Sequence, residues 1–340
     1  VTHTDTIAEA GSSWFVGGFG ADMGGESEGI SVMRSRADGS LALSHVEAAV
    51  LSPSFLLVDG ARVLATLEGA GEVAVFTRDG ELLSEVAKAP SGGLNPCHVS
   101  TRGNVVIAAN YGTGTLGVLE RSGSDDALEL RHRESPIGSG PRPQQEGPHA
   151  HASIFIDDST VATLDLGADR IRIYQASDRA LRAISEVVLP EGFGPRDIVA
   201  RPGNLYYVLG ELGCAFMVFE WKDRELQRLC SIALPGASEG DQAAAIAFSD
   251  DGRHAYVGVR QSNLIAVLAV AEDGRSVAPL TAVSCEGDWP RHIVLHDGVL
   301  HVSNQLSNSI ASFRIDRNGI PQLIAPPTRV LSPTYLARIA

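Results

Sequence analysis

The stretch Gly147-Pro148-His149-Ala150-His151 sets two imidazoles on either side of one small residue, and the strand-like run Ala152-Ser153-Ile154-Phe155 follows at once. Alternate residues of a strand point to the same side. If the strand conformation already holds there, His149 and His151 project together. Paired imidazoles at a strand mouth suit proton transfer, anion binding or metal ligation. The plainer role is a pair of hydrogen-bonded histidines that only ties the fold together. Chemistry is favoured because similar stretches recur along the chain and bring further polar groups with them.

The elements that must position these residues are short and repeated. Proline-led starts occur at Pro53-Ser54, Asn95-Pro96-Cys97-His98, Gly147-Pro148-His149, Gly194-Pro195-Arg196, Trp289-Pro290-Arg291-His292 and Ser332-Pro333-Thr334, with a degenerate copy at Ala243-Ala244-Ala245-Ile246. Successive starts lie roughly 43 to 52 residues apart, the blade-sized period of a β-propeller. Each unit opens with a short apolar strand, turns at small or polar residues such as Asp251-Gly252 or Asp297-Gly298, and continues through two more β-branched or aromatic runs to a variable fourth strand. Long helical periodicity is missing.

The expected fold is therefore all-β: a seven-bladed β-propeller with four antiparallel strands per blade, occupying residues 14–340 as one domain after a flexible segment at 1–13. The first blade is split. Strands near 14–18, 29–34 and 41–49 need an innermost partner, which residues 334–338 supply, closing the ring and removing an exposed edge. A β-sandwich is the weaker alternative, because the period is too regular.

Repeat phase then predicts where the polar groups meet. The first strand of a blade lines the central channel and the second runs antiparallel to it. Strand-one starts and strand-two ends thus share one face of the disc. The former carry Cys97/His98, His149/His151, Arg196 and Arg291/His292, and the latter carry Glu68, Asn110/Tyr111, Asp165, Glu211, Arg260 and Asn304/Gln305. Singly, each has a plain alternative. Arg196 or Arg291 could bond backbone carbonyls of a neighbouring blade, Glu211 could be the salt partner of Arg196, and Asn110 could be a turn residue. Together they suggest an anion-binding pocket. The loop at residues 138–147, rich in Pro and Gly, leads into the histidine pair and could wall that pocket.

Composition narrows the function classes. The 340 residues are 44% hydrophobic and 20% charged, with a net charge of −14, so a sizeable core is expected and a basic nucleic-acid or membrane-binding face is not. Cys97, Cys214, Cys230 and Cys285 have no CxxC spacing, so neither a zinc site nor a disulfide framework is expected. An arginine-rich mouth also disfavours a metal, and no cofactor is expected. Residues 1–13 lack a basic run followed by an apolar one, and no apolar run reaches membrane-spanning length. A soluble cytoplasmic protein, monomeric or weakly homo-oligomeric and acting on a small anionic or sugar-like substrate, is the expectation.

Several of these segments carry a family resemblance. Asn95-Pro96-Cys97-His98-Val99, Ala109-Asn110-Tyr111-Gly112, Pro148-His149-Ala150-His151, Asp165-Leu166-Gly167-Ala168-Asp169-Arg170 and Gly194-Pro195-Arg196 resemble the 6-phosphogluconolactonase-type lactonase family. These are seven-bladed propellers related to carboxy-cis,cis-muconate cyclase. The resemblance extends over nearly the whole chain. It implies His149, His151, Arg196, Glu211, Arg260 and Arg291 as site candidates; with the strand phase, His149, His151, Glu211 and Arg196 are the catalytic candidates, and Arg260, Arg291, Asn110, His98 and Gln305 the substrate-binding ones. Three departures stand near the mouth: Gln144-Gln145 in place of Arg-Gln, Gly210-Glu211 in place of Asn-Glu, and Val259-Arg260-Gln261-Ser262 in place of Asn-Arg-Gly-His. They point to a specificity drifted from the phosphorylated sugar.

Three functions follow. In a lactonase, water attacks a ring carbonyl, His149 or His151 takes the proton with Glu211 orienting it or acting as base, and an arginine holds the oxyanion. No serine nucleophile elbow is visible. In a cycloisomerase the same groups would add a carboxylate to an alkene. A binding scaffold would have no need of a charged mouth.

Overall fold

The computed structural model describes residues 12–123 and 126–339. They form seven four-stranded antiparallel sheets arranged as a propeller, the seventh with its outer edge split between two short strands. Blades 2 to 7 begin with the innermost strands Pro53–Asp59, Pro96–Arg102, Ala150–Phe155, Pro195–Arg201, Gln242–Phe248 and Pro290–His296. Among the described residues the only helices are single 3-10 turns at Ala21–Met23 and Pro143–Gln145, and no helix is long and apolar enough to cross a membrane.

The ring closes as its sequence pattern requires. Pro333–Ile339 is the innermost strand of blade 1 and pairs antiparallel with Ser13–Gly18, Trp14 facing Arg338 and Val16 facing Leu336. The join is tight: a Cβ on Gly17 would sit 2.0 Å from the Pro53 carbonyl oxygen of blade 2. Of the flexible segment expected at 1–13, residues 1–11 lie outside the described residues, and Ser13 already belongs to a strand.

Each blade buries both faces of its middle strands against its neighbours, so those strands read as nearly continuous apolar runs. Leu209, Phe216 and Val218 of blade 5 pack with Val257, Val259 and Ala266 of blade 6, and the same arrangement recurs around the ring. This packing holds the inner strands rigidly enough to present a site.

Two backbone devices repeat around the channel. First, the residue after strand two donates its N–H to the carbonyl of the residue that precedes the innermost strand. Phe19 N bonds Ser332 O, Glu68 N bonds Ser52 O, Tyr111 N bonds Asn95 O, Glu211 N bonds Gly194 O and Gln305 N bonds Trp289 O, at 2.8–3.1 Å. The carbonyl-bearing residues Ser52, Asn95, Gly194, Trp289 and Ser332 all precede a proline and all have positive φ, between 41° and 65°. Second, every innermost strand slips register by a bulge just after its start. A bulge leaves a residue unpaired and re-aims its side chain.

Candidate active site

The bulged residues are Thr334, Ser54, Cys97, His151, Arg196, the Ala244/Ala245 pair and Arg291, in ring order from blade 1 to blade 7. All of them line one cavity of about 240 Å³ in the channel. His98, Asp197, His292 and Tyr335, each one residue further along, border it too, and Glu68 reaches it from the end of strand two of blade 2. Seven blades thus supply one site through a single repeated irregularity.

On the blade 5 side the charges are fully paired. Glu211 Oε2 accepts from Arg196 Nη1 at 2.6 Å and from Arg260 Nη2 at 2.8 Å. Arg196 Nη1 also donates to His151 Nε2 at 2.7 Å, and Arg196 Nε to the Ala244 carbonyl at 2.6 Å. Arg260 bonds the carbonyls of Gln242 and Ala243 and lies over the Trp289 ring at 5.3 Å. Burial works to raise the Glu211 pKa, but Arg260 and Arg196 outweigh it and hold the carboxyl below its ordinary value. Burial, followed by the positive fields of Arg196, Arg291 and Arg260, pushes His151 well below the usual imidazole value. His151 is therefore neutral, with its Nε2 lone pair occupied by Arg196 and its proton on Nδ1.

On the blade 2 side the charges are not paired in this way. Glu68 is 5% exposed, and its Oε2 is buried with no hydrogen-bond partner. Burial raises its pKa, opposed in turn by Arg291, the Ser54 hydroxyl and Arg196, while Asp22 adds to the rise. Arg291 stacks on the Phe19 ring at 4.6 Å and donates weakly to Gln305 Oε1 at 3.4 Å, so much of its guanidinium faces the cavity.

Of the residues expected at the site, His151, Arg196, Arg291 and His98 line the cavity, and Glu211 and Arg260 stand directly behind Arg196. The two histidines do not act as a pair. His149 precedes the strand, which starts at Ala150, and the bulge at His151 breaks the alternation between them. The His149 ring stacks on Tyr111, bonds the Tyr111 carbonyl through Nδ1 at 2.7 Å, and has Glu146 near Nε2 at 3.4 Å. His151 meets Tyr111 edge-on instead. Asn110 is fully buried and donates to the Ser91 carbonyl and Thr115 Oγ1, stitching blade 3 to the preceding connection rather than facing the cavity. Gln305 touches the site only through Arg291. The 138–147 loop folds over blade 4, where the buried Gln145 donates to Leu166 O and Asp169 Oδ1, and it does not wall the cavity.

Glu68 was visible as a strand-two end but nothing in the sequence separated it from the other five. Only the partners do. Among the described residues no group of three or more His, Cys, Asp or Glu side chains is arranged to hold a metal ion. The cavity offers two cationic guanidiniums, a neutral histidine and a carboxylate with one unpartnered oxygen around a narrow space. That set can bind a small anion or a polarised carbonyl and move a proton beside it.

Residues 14–336 match the family model described as "Lactonase, 7-bladed beta-propeller". The chain is 32% identical over 248 residues to a 6-phosphogluconolactonase of Bacillus subtilis, covering 69% of this chain and 70% of that one. It is 32% identical over 314 residues to a 6-phosphogluconolactonase of Enterobacter sp. strain 638, covering 85% of this chain and 89% of that one. Among solved structures, the periplasmic gluconolactonase PpgL of Pseudomonas aeruginosa superposes with a TM-score of 0.88 at 26% identity, over 97% of this chain and 99% of that one.

Proposed function

The chain belongs to the seven-bladed β-propeller lactonase family, and from that premise we propose that it hydrolyses the lactone of a sugar acid or another hydroxy acid. The observation that supports this most is the convergence of Arg196, Arg291 and a carboxylate with one unpartnered oxygen on one cavity. Ester hydrolysis of a lactone needs a place for the developing oxyanion, a proton acceptor for water and a clamp for the rest of the substrate. A guanidinium fixed before substrate arrives stabilises the oxyanion without reorganising. Arg196 meets that condition, because Glu211, His151 and the Ala244 carbonyl hold it from three sides. Arg291, less constrained, suits the substrate's own anionic or hydroxyl groups.

This changes the role of Glu211. A carboxylate already shared by two arginines, with its pKa depressed, is a poor proton acceptor, so Glu211 positions Arg196 rather than serving as base. His151, neutral and capped by Arg196, borders the substrate.

The test is a panel of phosphorylated and plain lactones followed by pH-stat, with a muconate-type dicarboxylate followed by ultraviolet absorbance. Lactone turnover lost in Arg196→Ala supports the hydrolase. Consumption of the muconate alone, with every lactone untouched, moves the assignment to a cycloisomerase.

A further inference from the structure

We infer that Glu68, whose carboxyl group lines the cavity and keeps a buried oxygen without a partner, is the proton-transfer group of the lactone hydrolysis proposed above, a role that rests on that reading. The case is made by the lone pairs around the cavity. Glu211 Oε2 takes two guanidinium N–H groups. Asp197 accepts backbone N–H groups from Ile198 and Ile246, at 2.9 Å each. His151 Nε2 accepts from Arg196. His98 Nδ1 and His292 Nδ1 accept from the backbone N–H groups of Ser153 and Leu336, at 3.4 and 3.2 Å, which leaves the proton on each Nε2. Cys97 gives its thiol proton to the His151 carbonyl at 3.4 Å, and burial pushes the thiol pKa far up. Among the carboxylates, imidazoles and thiol that line the cavity, the remaining acceptor is Glu68.

A buried carboxylate oxygen without a donor is costly, and a catalytic role is one of the few reasons for a fold to keep such a group. Its surroundings also suit the work. Burial lifts the Glu68 pKa from the ordinary carboxylate value, and Arg291, Ser54 and Arg196 stop it rising too far. A base works best when its pKa approaches the working pH.

The step balances as a simple hydrolysis. Glu68 takes one proton from water as the oxygen bonds to the lactone carbonyl carbon. Arg196 holds the resulting oxyanion. Collapse breaks the bond from carbonyl carbon to ring oxygen, and Glu68 returns its proton to the departing alkoxide. The carboxylic acid product then releases a proton to solvent, which is what the pH-stat records.

Glu68→Gln keeps the shape and removes the acceptor. We expect kcat to fall about 100-fold or more, while KM stays within about threefold, and the acid limb of the wild-type kcat profile to vanish. Calorimetric binding of the hydroxy-acid product checks that the cavity survives. A variant that binds product, keeps activity within about threefold of wild type and retains the acid limb overturns the assignment. If Glu68→Gln does not fold, Glu68→Asp decides: lowered kcat with a displaced acid limb supports the role, and a wild-type profile overturns it. Failure of the wild type on every lactone is a separate result, and it removes the lactonase reading along with the role.

Discussion

Glu68 and Glu211 hold the same place in two blades. Each follows strand two, each donates its backbone N–H to the carbonyl of a positive-φ residue before a proline, and each is nearly buried beside the channel. Their chemistry is opposite. Glu211 sits between Arg196 and Arg260 and is held ionised, whereas Glu68 keeps one oxygen unpartnered and has its pKa raised by burial. The repeat supplies the position, and residues of other blades supply the function. Blade 6 contributes the Ala244 carbonyl of a bulge built from alanines, which holds Arg196, and Arg260, which shares Glu211 with it. Blade 7 contributes Arg291, which is held by a ring stack and one long hydrogen bond and so leaves Glu68 unclaimed.

The comparison is broken most severely by neutralising each carboxylate in turn and measuring urea unfolding. Glu211→Gln strands two buried guanidiniums and should cost about 3–5 kcal/mol, the usual penalty for removing one partner of a buried ion pair. Glu68→Gln should cost nothing at neutral pH and can stabilise, because it removes a buried charge that lacks a full set of donors. Equal destabilisation by the two changes would mean that Glu68 is a paired structural carboxylate like Glu211.

The same pair should diverge with pH. The folded pKa of Glu211 is depressed, so its contribution is present above the unfolded carboxylate pKa and is lost as pH falls through the lower folded value. The folded pKa of Glu68 is raised, so its contribution is complete below the unfolded pKa and is lost as pH rises through the higher folded value. Wild type minus Glu68→Gln should therefore be most negative near neutral pH and shrink toward zero in acid. Wild type minus Glu211→Gln should stay large through mild acid. Denaturant midpoints taken across the acid range measure both, and a difference for Glu68→Gln that does not change with pH would contradict its raised pKa.

Arg291 sharpens the contrast on the substrate side. Arg291→Gln removes a cavity cation that the fold does not spend on a salt bridge to Glu211. A hydrogen bond to a charged group is worth about 1.5–3 kcal/mol, so KM for an anionic lactone should rise about tenfold to a hundredfold, with kcat affected less. Steady-state kinetics on charged and uncharged lactones distinguish this from a general loss of activity, since the uncharged substrate should lose little.

The sequence made much of this legible and left a specific part hidden. The proline-led starts and their period carry the propeller, and the split first blade implies the join between Ser13–Gly18 and Pro333–Ile339 that is seen. Strand phase places Arg196, Arg291, His98 and His151 at one cavity. What strand periodicity cannot show is a one-residue slip, because a slip exchanges the faces of a strand. That slip separates His149 from His151. Direction was equally invisible at Asn110, where a phase position near the mouth turned out to hold an amide bonded away from it. Pairing was hidden as well. Glu68 and Glu211 look alike in sequence, since the residues that tell them apart come from blades 5, 6 and 7.

Gln305 gives the finest adjustment, because it is the blade 7 residue in the same phase as both glutamates and already contacts Arg291 at 3.4 Å. Gln305→Glu would place a third carboxylate at that phase. It should draw Arg291 toward itself, imitating the way Arg260 and Arg196 serve Glu211. Glu68 then loses part of the cation that restrains its pKa and gains a like charge nearby, and both changes favour its protonated form. The acid limb of kcat/KM should move upward by at most about one pH unit, equivalent to roughly 1.4 kcal/mol, with little change in the plateau. An unmoved limb would show that Arg291 does not tune Glu68. A downward shift would show that the new carboxylate stays out in solvent while the guanidinium moves closer to Glu68.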